Sequence, residues 1–314
     1  MARRFTRGRR SPAVVGAAAM SVVLVACAGP AESSDGPGSS TAAPGDSGRV
    51  VIVGDRGIYL ECRGTGSPTV VLVSGTGGAS DEWTDAVDPA DPGAGPEPSG
   101  AAVLPTVASF TRVCAYDRPG TTRDDGTPSP STPVPQPTTA QAGVSDLRAV
   151  LAAAGERAPY VLVGASWGAM IVALFARTDF PQVSGLVTVD GASEFLRGTL
   201  TSDQWSDWMH KIGEMDPTKG LEVPDYETSV DEIRAAPPMP HLLPAAVLTS
   251  DKPWDLRVGS SGSTWPAWLA AQDRLADELH ARHITDTGSG HGVNVEQPRV
   301  VSNAVREVVD RARG

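Results

Sequence analysis

Sulfur and aromatic carbon are scarce in this chain. It holds 3 cysteines in 314 residues, and only 5% of it is aromatic. A disulfide-dense secreted scaffold is therefore excluded, and any core must be aliphatic and Ala-rich. Histidines number 5, at 210, 241, 280, 283 and 291, and no His/Cys/Asp spacing resembles a zinc or EF-hand pattern, so no metal is expected. No glycine fingerprint for a dinucleotide follows a strand, and no repeat of solenoid period occurs, so no cofactor is expected either. Positive charge is also in deficit. The formal net charge is −11, and Arg3, Arg4, Arg7, Arg9 and Arg10 sit in the first 27 residues, which hold no acid. Without that segment the charge is −16, which argues against nucleic acid and against broad docking on anionic lipid.

Those first residues read as an address. A basic head, Met1 to Arg10, precedes an apolar run, Pro12 to Ala26, which is shorter than the ~20 residues a spanning helix needs. The run ends Leu24-Val25-Ala26-Cys27, which resembles the bacterial lipobox. That resemblance implies cleavage before Cys27, a diacylglyceryl thioether on its sulfur, and an exported protein tethered to the outer face of the cell membrane. Ordinary secretion is the alternative. The pairs Arg3-Arg4 and Arg9-Arg10 leave the export route open. Ala28 to Gly48 is almost wholly Gly, Ser, Pro, Ala and Asp, unable to bury a core, and reads as a linker. The catalytic-size domain is then 49–314. Cys62 and Cys114 are the two remaining thiols, and in an exported protein a pair suggests a disulfide.

From Arg49 onward strands alternate with helices. Arg49–Val53 and Ile58–Arg63 flank Gly54-Asp55-Arg56-Gly57, a hairpin pattern. Continuous apolar runs follow at 69–74, 112–116, 160–163, 186–189 and 245–249, with a last strand at 283–286. Runs of this kind are strands buried on both faces of a mainly parallel sheet. Loop insertions are expected over 88–100 and 121–137. A helix begins at Thr138-Thr139 and ends at Gly155, another over 167–177 is apolar nearly all round, and a closing helix begins near Pro298. The stretch 192–244 has no apolar strand, carries Trp205 and Trp208, and reads as an inserted cap.

Chemistry concentrates at Gly164-Ala165-Ser166-Trp167-Gly168, a G-x-S-x-G sequence between strand and helix. A turn that tight leaves no room for side chains at the glycines, and it lifts the Ser166 hydroxyl off the sheet. A hydroxyl needs a neighbouring base to act as a nucleophile near neutral pH. His291 lies in Gly288-Ser289-Gly290-His291-Gly292, where small neighbours let an imidazole swing toward the strand ends. His210 and His241 fall in the cap, and His280 and His283 at the last strand. An acid between Ser166 and His291 in the chain must hold the imidazole. Asp190 and Asp251 both end strands, with Asp255 a weaker third.

Five stretches in this order, VVLVSGTGG (70–78), VCAYDRPG (113–120), VLVGASWGAM (161–170), LVTVDGAS (186–193) and GSGHGVNVEQP (288–298), resemble the α/β-hydrolase superfamily over roughly residues 49–313. The resemblance implies an eight-stranded, mostly parallel sheet with helices on both faces. It implies an oxyanion hole from the backbone N–H groups of Trp167 and Thr76. It also favours Asp190 over Asp251 as triad acid, because Asp251 comes early and Pro253 stands where the acid usually falls. The superfamily's strand order sets the strands of Cys62 and Cys114 side by side, implying a disulfide between them. The activity implied is serine hydrolysis of a small ester, lactone or amide through an acyl-enzyme. Alternatives are a catalytically silent binding lipoprotein on the same fold, and cofactor-free acyl transfer or perhydrolysis.

Overall fold

A tight turn starts the architecture. Strands β1 (Ser47–Val53) and β2 (Arg56–Arg63) pair antiparallel, joined through Gly54, which takes φ +62°. The strands run closer together than the sequence pattern suggests, because Arg56 and Gly57 pair with Val53 and Ile52 rather than joining the turn. The computed structural model describes residues 47–239, 243–256, 258–259 and 262–314. Cys27, the leader, most of the linker and His241 lie outside them.

Six more strands complete the sheet: β3 (Thr69–Val73), β4 (Val113–Tyr116), β5 (Tyr160–Ala165), β6 (Val183–Val189), β7 (Ala245–Leu248) and β8 (Arg282–Ile284). Their order is β1-β2-β4-β3-β5-β6-β7-β8, parallel from β4 onward. Every residue of β3, β4, β5 and β7 is buried, which is why these strands are uninterrupted apolar runs. β2 lies antiparallel to β4 with Cys62 opposite Cys114, and the two are disulfide-bonded.

Helices cover both faces. On one lie α2 (Ala140–Ala154) and α3 (Trp167–Thr178). The Thr139 hydroxyl accepts from Ala142 N to cap α2, and Gly155 at φ +76° ends it. Residues Trp167 to Ala176 of α3 are all buried between the sheet and neighbouring helices, so the helix has no polar stripe. On the other face lie α1 (Val103–Ala108) and the closing helix α9 (Pro298–Arg313), whose Val301, Ala304, Val305, Val308 and Val309 are buried against the sheet. A short helix, α8 (Val293–Glu296), precedes α9.

After β6 the chain leaves the sheet and returns only at β7. Between them are α4 (Leu196–Thr199), α5 (Ser202–Gly213) and α6 (Tyr226–Ala235). Thr201 and Gln204 form a reciprocal capping box at the start of α5, and Asp225 caps α6 through Thr228 N. Trp205 and Trp208 face inward from α5, edge to face with ring centroids 5.5 Å apart. Helix α7 (Trp265–Glu278), between β7 and β8, buries Trp268, Ala271, Gln272 and Leu275. No helix among the described residues is long and apolar enough to cross a membrane.

Candidate active site

β5 runs straight into α3 through Ser166, which adopts φ 48°, ψ −118°. Only glycines permit so sharp a bend. A Cβ on Gly164 would stand 2.6 Å from the backbone of Gly168, and one on Gly168 would stand 2.3 Å from Val73 O. The strained backbone of Ser166 is held from both sides, since its N–H donates to Val189 O and its carbonyl accepts from Ala192 N.

Three residues from distant parts of the chain converge here. The Ser166 Oγ lies 3.0 Å from His291 Nε2, and His291 Nδ1 lies 2.7 Å from Asp190 Oδ2. Asp190 has no exposed surface and sits in the left-handed region at φ 41°, just past the end of β6. Its other oxygen, Oδ1, accepts from Ser250 N and from Trp268 Nε1, both at 3.0 Å. Both oxygens of this buried carboxylate are thus aimed at fixed partners. As the acceptor for His291 Nδ1 it orients the imidazole with Nδ1–H toward itself, leaving Nε2 to accept from the Ser166 hydroxyl.

Asp251 has a different place. Its oxygens accept from Gly288 N at 3.0 Å and Ser289 N at 2.9 Å, clamping the loop that carries His291 without touching the ring. Asp255 caps the start of α7 through Thr264 N and Trp265 N. His210 is exposed beside Glu214, and His283 meets the Thr249 hydroxyl at 2.8 Å.

Opposite Ser166 is the loop Ser74–Gly78, tied down by buried charge. Arg118 donates to the carbonyls of Ser74 and Gly75 and forms a two-pronged ion pair with Glu222. Glu222 Oε2 accepts from Gly77 N at 2.7 Å, and Glu82 Oε2 from Gly75 N at 3.0 Å. The amides on either side of Thr76 are thus engaged, while the Thr76 hydroxyl meets Tyr226 Oη at 2.9 Å. Trp167 contributes the first amide of α3, where a helix favours negative charge.

Ser166 and His291 open into a cavity of about 410 Å³. Its walls are Thr76, Glu82 and Asp124 on one side, and Trp208, Tyr226, Trp254 and Trp268 with Ile212 and Leu256 elsewhere. Trp254 lies over the His291 ring with centroids 4.0 Å apart, and Trp268 stands edge-on to it at 5.6 Å. Burial, together with Asp124 and Asp81 nearby, pushes the Glu82 carboxyl up to about 7. Partial burial of the Asp124 carboxyl, on a residue that still reaches solvent, and the neighbouring Asp81, Asp85 and Asp125 push it up to about 6. Nothing in the sequence pattern singles out Glu82, Asp124 or Trp254. Only α7 carries a usable signal, in Trp268, Ala271 and Leu275 at helical spacing behind Pro266.

Strand order, the Ser166 bend and its position at the C-terminal ends of parallel strands define an α/β architecture with a nucleophile-type turn. The chain belongs to the alpha/beta hydrolase fold family, whose model matches residues 68–257. Curated proteins contain no match to the chain. Among solved structures it is similar to a bromoperoxidase from Bacillus anthracis (16% identity, TM-score 0.53, covering 84% of this chain and all of that one). A thermophilic esterase from Thermogutta terrifontis aligns at 18% identity and TM-score 0.53, over 85% of this chain and 100% of the other. A hydrolase from Pseudomonas aeruginosa PA01 aligns at 17% and 0.52, over 82% and 97%. At these identities the likeness is one of fold.

Proposed function

We propose that the protein is a serine hydrolase that cleaves a small ester, lactone or amide through an acyl-enzyme. The observation that carries this is the unbroken chain Ser166 Oγ–His291 Nε2–Asp190 Oδ2, at 3.0 and 2.7 Å, opening into a cavity large enough for a small substrate. Ser166 Oγ attacks the substrate carbonyl while His291 Nε2 takes its proton. Asp190 stabilises the imidazolium, and the N–H groups of Trp167 and Thr76 receive the oxyanion. Collapse expels the alcohol or amine, protonated by His291. Water activated by the same nitrogen then releases the acid and restores Ser166.

The helices between β6 and β7 act as a cap in this scheme, since Trp208, Ile212 and Tyr226 supply the cavity's far wall. Cys27 is the site of lipidation, which anchors the exported chain to the outer face of the cell membrane. The test of the catalytic role is covalent labelling of Gly48–Gly314 by a fluorophosphonate probe, with a panel of p-nitrophenyl esters of increasing chain length. Labelling of wild type and none of Ser166→Ala is expected. A folded wild-type protein that neither labels nor turns over any ester overturns the proposal.

A further inference from the structure

Resting on the hydrolase reading, we infer that the cleft selects substrates bearing a quaternary or protonated ammonium group near the scissile bond, held between the Glu82 and Asp124 carboxylates and the rings of Trp208, Tyr226, Trp254 and Trp268. Charge and aromatic area come from separate elements and meet at the nucleophile. Glu82 follows the loop after β3, Asp124 belongs to the loop after β4, and the rings come from α5, α6, the segment after β7, and α7.

Glu82 is the central observation. Its Oε2 accepts from Gly75 N, but among the described residues Oε1 accepts no hydrogen bond and no cation stands within ion-pair distance of the carboxylate. Arg118, the cation that acts on it through space, is already committed to Glu222. Holding Gly75 N needs only a neutral carbonyl, which a glutamine would supply without desolvating a charge. An acid at this position therefore calls for a counter-charge that arrives from the cavity. Gly75 keeps the path open, because a Cβ there would lie 3.3 Å from Ser166 Cβ and 3.7 Å from Glu82 Oε1, filling the gap between nucleophile and carboxylate. Among the described residues that line the cavity there is no lysine or arginine. Asp124 adds a second negative charge, with Asp81 behind it, and both are pushed upward by burial. Indole and phenol faces attract an ammonium where a carboxylate alone would leave its methyl or methylene groups unsolvated. A substrate with an anionic acyl group meets repulsion from the same wall.

The test uses two pairs that differ in charge at nearly constant shape. Phenyltrimethylammonium and tert-butylbenzene compete with fluorophosphonate labelling of Ser166, and choline butyrate and 3,3-dimethylbutyl butyrate are compared as substrates. Phenyltrimethylammonium is expected to protect Ser166 at a concentration about tenfold or more below tert-butylbenzene, and choline butyrate to exceed its isostere about tenfold in kcat/KM. Both ratios should fall toward one in Glu82→Gln and in Asp124→Asn, the second of which changes an exposed side chain and covers failure of the first to fold. Equal protection and equal turnover by the two members of each pair overturn the inference and leave the hydrolase reading intact. If the folded protein does not label at all, it is the hydrolase reading that fails. Calorimetric titration with phenyltrimethylammonium against tert-butylbenzene then reads the cleft directly, and equal or absent binding sinks the ammonium site as well.

Discussion

Asp190 and Asp251 both end up near the His291 loop, and the division of labour between them is a matter of single hydrogen bonds. Asp190 meets the ring and is saturated by Ser250 N and Trp268 Nε1, while Asp251 meets only backbone. Asp190→Asn should lower kcat by about 10⁴, since an amide there no longer enforces the Nδ1–H tautomer or stabilises the imidazolium. Asp251→Asn keeps one acceptor for two amides and should cost far less. Ester hydrolysis by the two purified variants checks this, and an equal loss in both would refute the assignment. Glu82 offers a second residue-scale expectation. Its folded value of about 7 is above the ordinary 4.5, so the folded state holds this proton more tightly than the unfolded one. Stability from this group is therefore present at low pH, falls as pH rises from about 4.5 to 7, and is flat beyond. Between pH 5 and 8, Glu82→Gln should gain roughly 2–3 kcal/mol relative to wild type in urea melts, where a pH-independent difference would contradict the shift. Ser166 and His291 were legible in the sequence because each is marked by its immediate neighbours, glycines that a tight bend requires. Between the two acids, only the family resemblance favours Asp190 over Asp251, because the choice depends on what reaches Oδ1, namely Trp268 Nε1 from α7 and Ser250 N, two residues past β7.

At the scale of elements, legibility followed burial. β3, β4, β5 and β7 are covered on both faces and announce themselves as apolar runs, and α9 reads clearly because one of its faces is solvated. Helix α1 escapes because six residues with a central proline carry little periodicity, and the helices between β6 and β7 escape as a group because their inward residues meet an aromatic cavity rather than a flat sheet. The junction of β5 and α3 is the element most exposed to change. Gly168→Ala would press a methyl against the carbonyls of Val73 and Ser74, at 2.3 and 2.6 Å, both at the base of the loop that carries Thr76. The α3 start must then withdraw from β3, costing roughly 1–3 kcal/mol of stability. Because the Trp167 and Thr76 amides move apart in the same step, kcat should fall by about 10²–10³ with little change in KM. Thermal melts and steady-state kinetics on the same preparation separate the two effects. A variant with wild-type kcat would show that the two amides do not act together.

The whole molecule carries a charge of −11, and −16 once the first 27 residues are removed, so the membrane attachment proposed for it cannot come from general attraction to anionic lipid. At that charge the headgroups repel the folded domain, and a single acyl chain provides only marginal, reversible binding. The diacylglyceryl group proposed for Cys27 would supply two chains, enough to outweigh the repulsion at ordinary ionic strength. Three consequences separate this anchor from electrostatic docking. The full chain expressed in a bacterium should incorporate an alkyne-tagged fatty acid and partition into the detergent phase of Triton X-114. A wash in 1 M salt, where the screening length falls to about 3 Å, should release none of it, because screening weakens only the repulsion. Exported instead behind a cleavable leader without the cysteine, Ala28–Gly314 should appear wholly in the aqueous phase. Detergent partitioning of that shortened chain, or release of the full chain by salt, would place the membrane contact on the folded domain and remove Cys27 from the account.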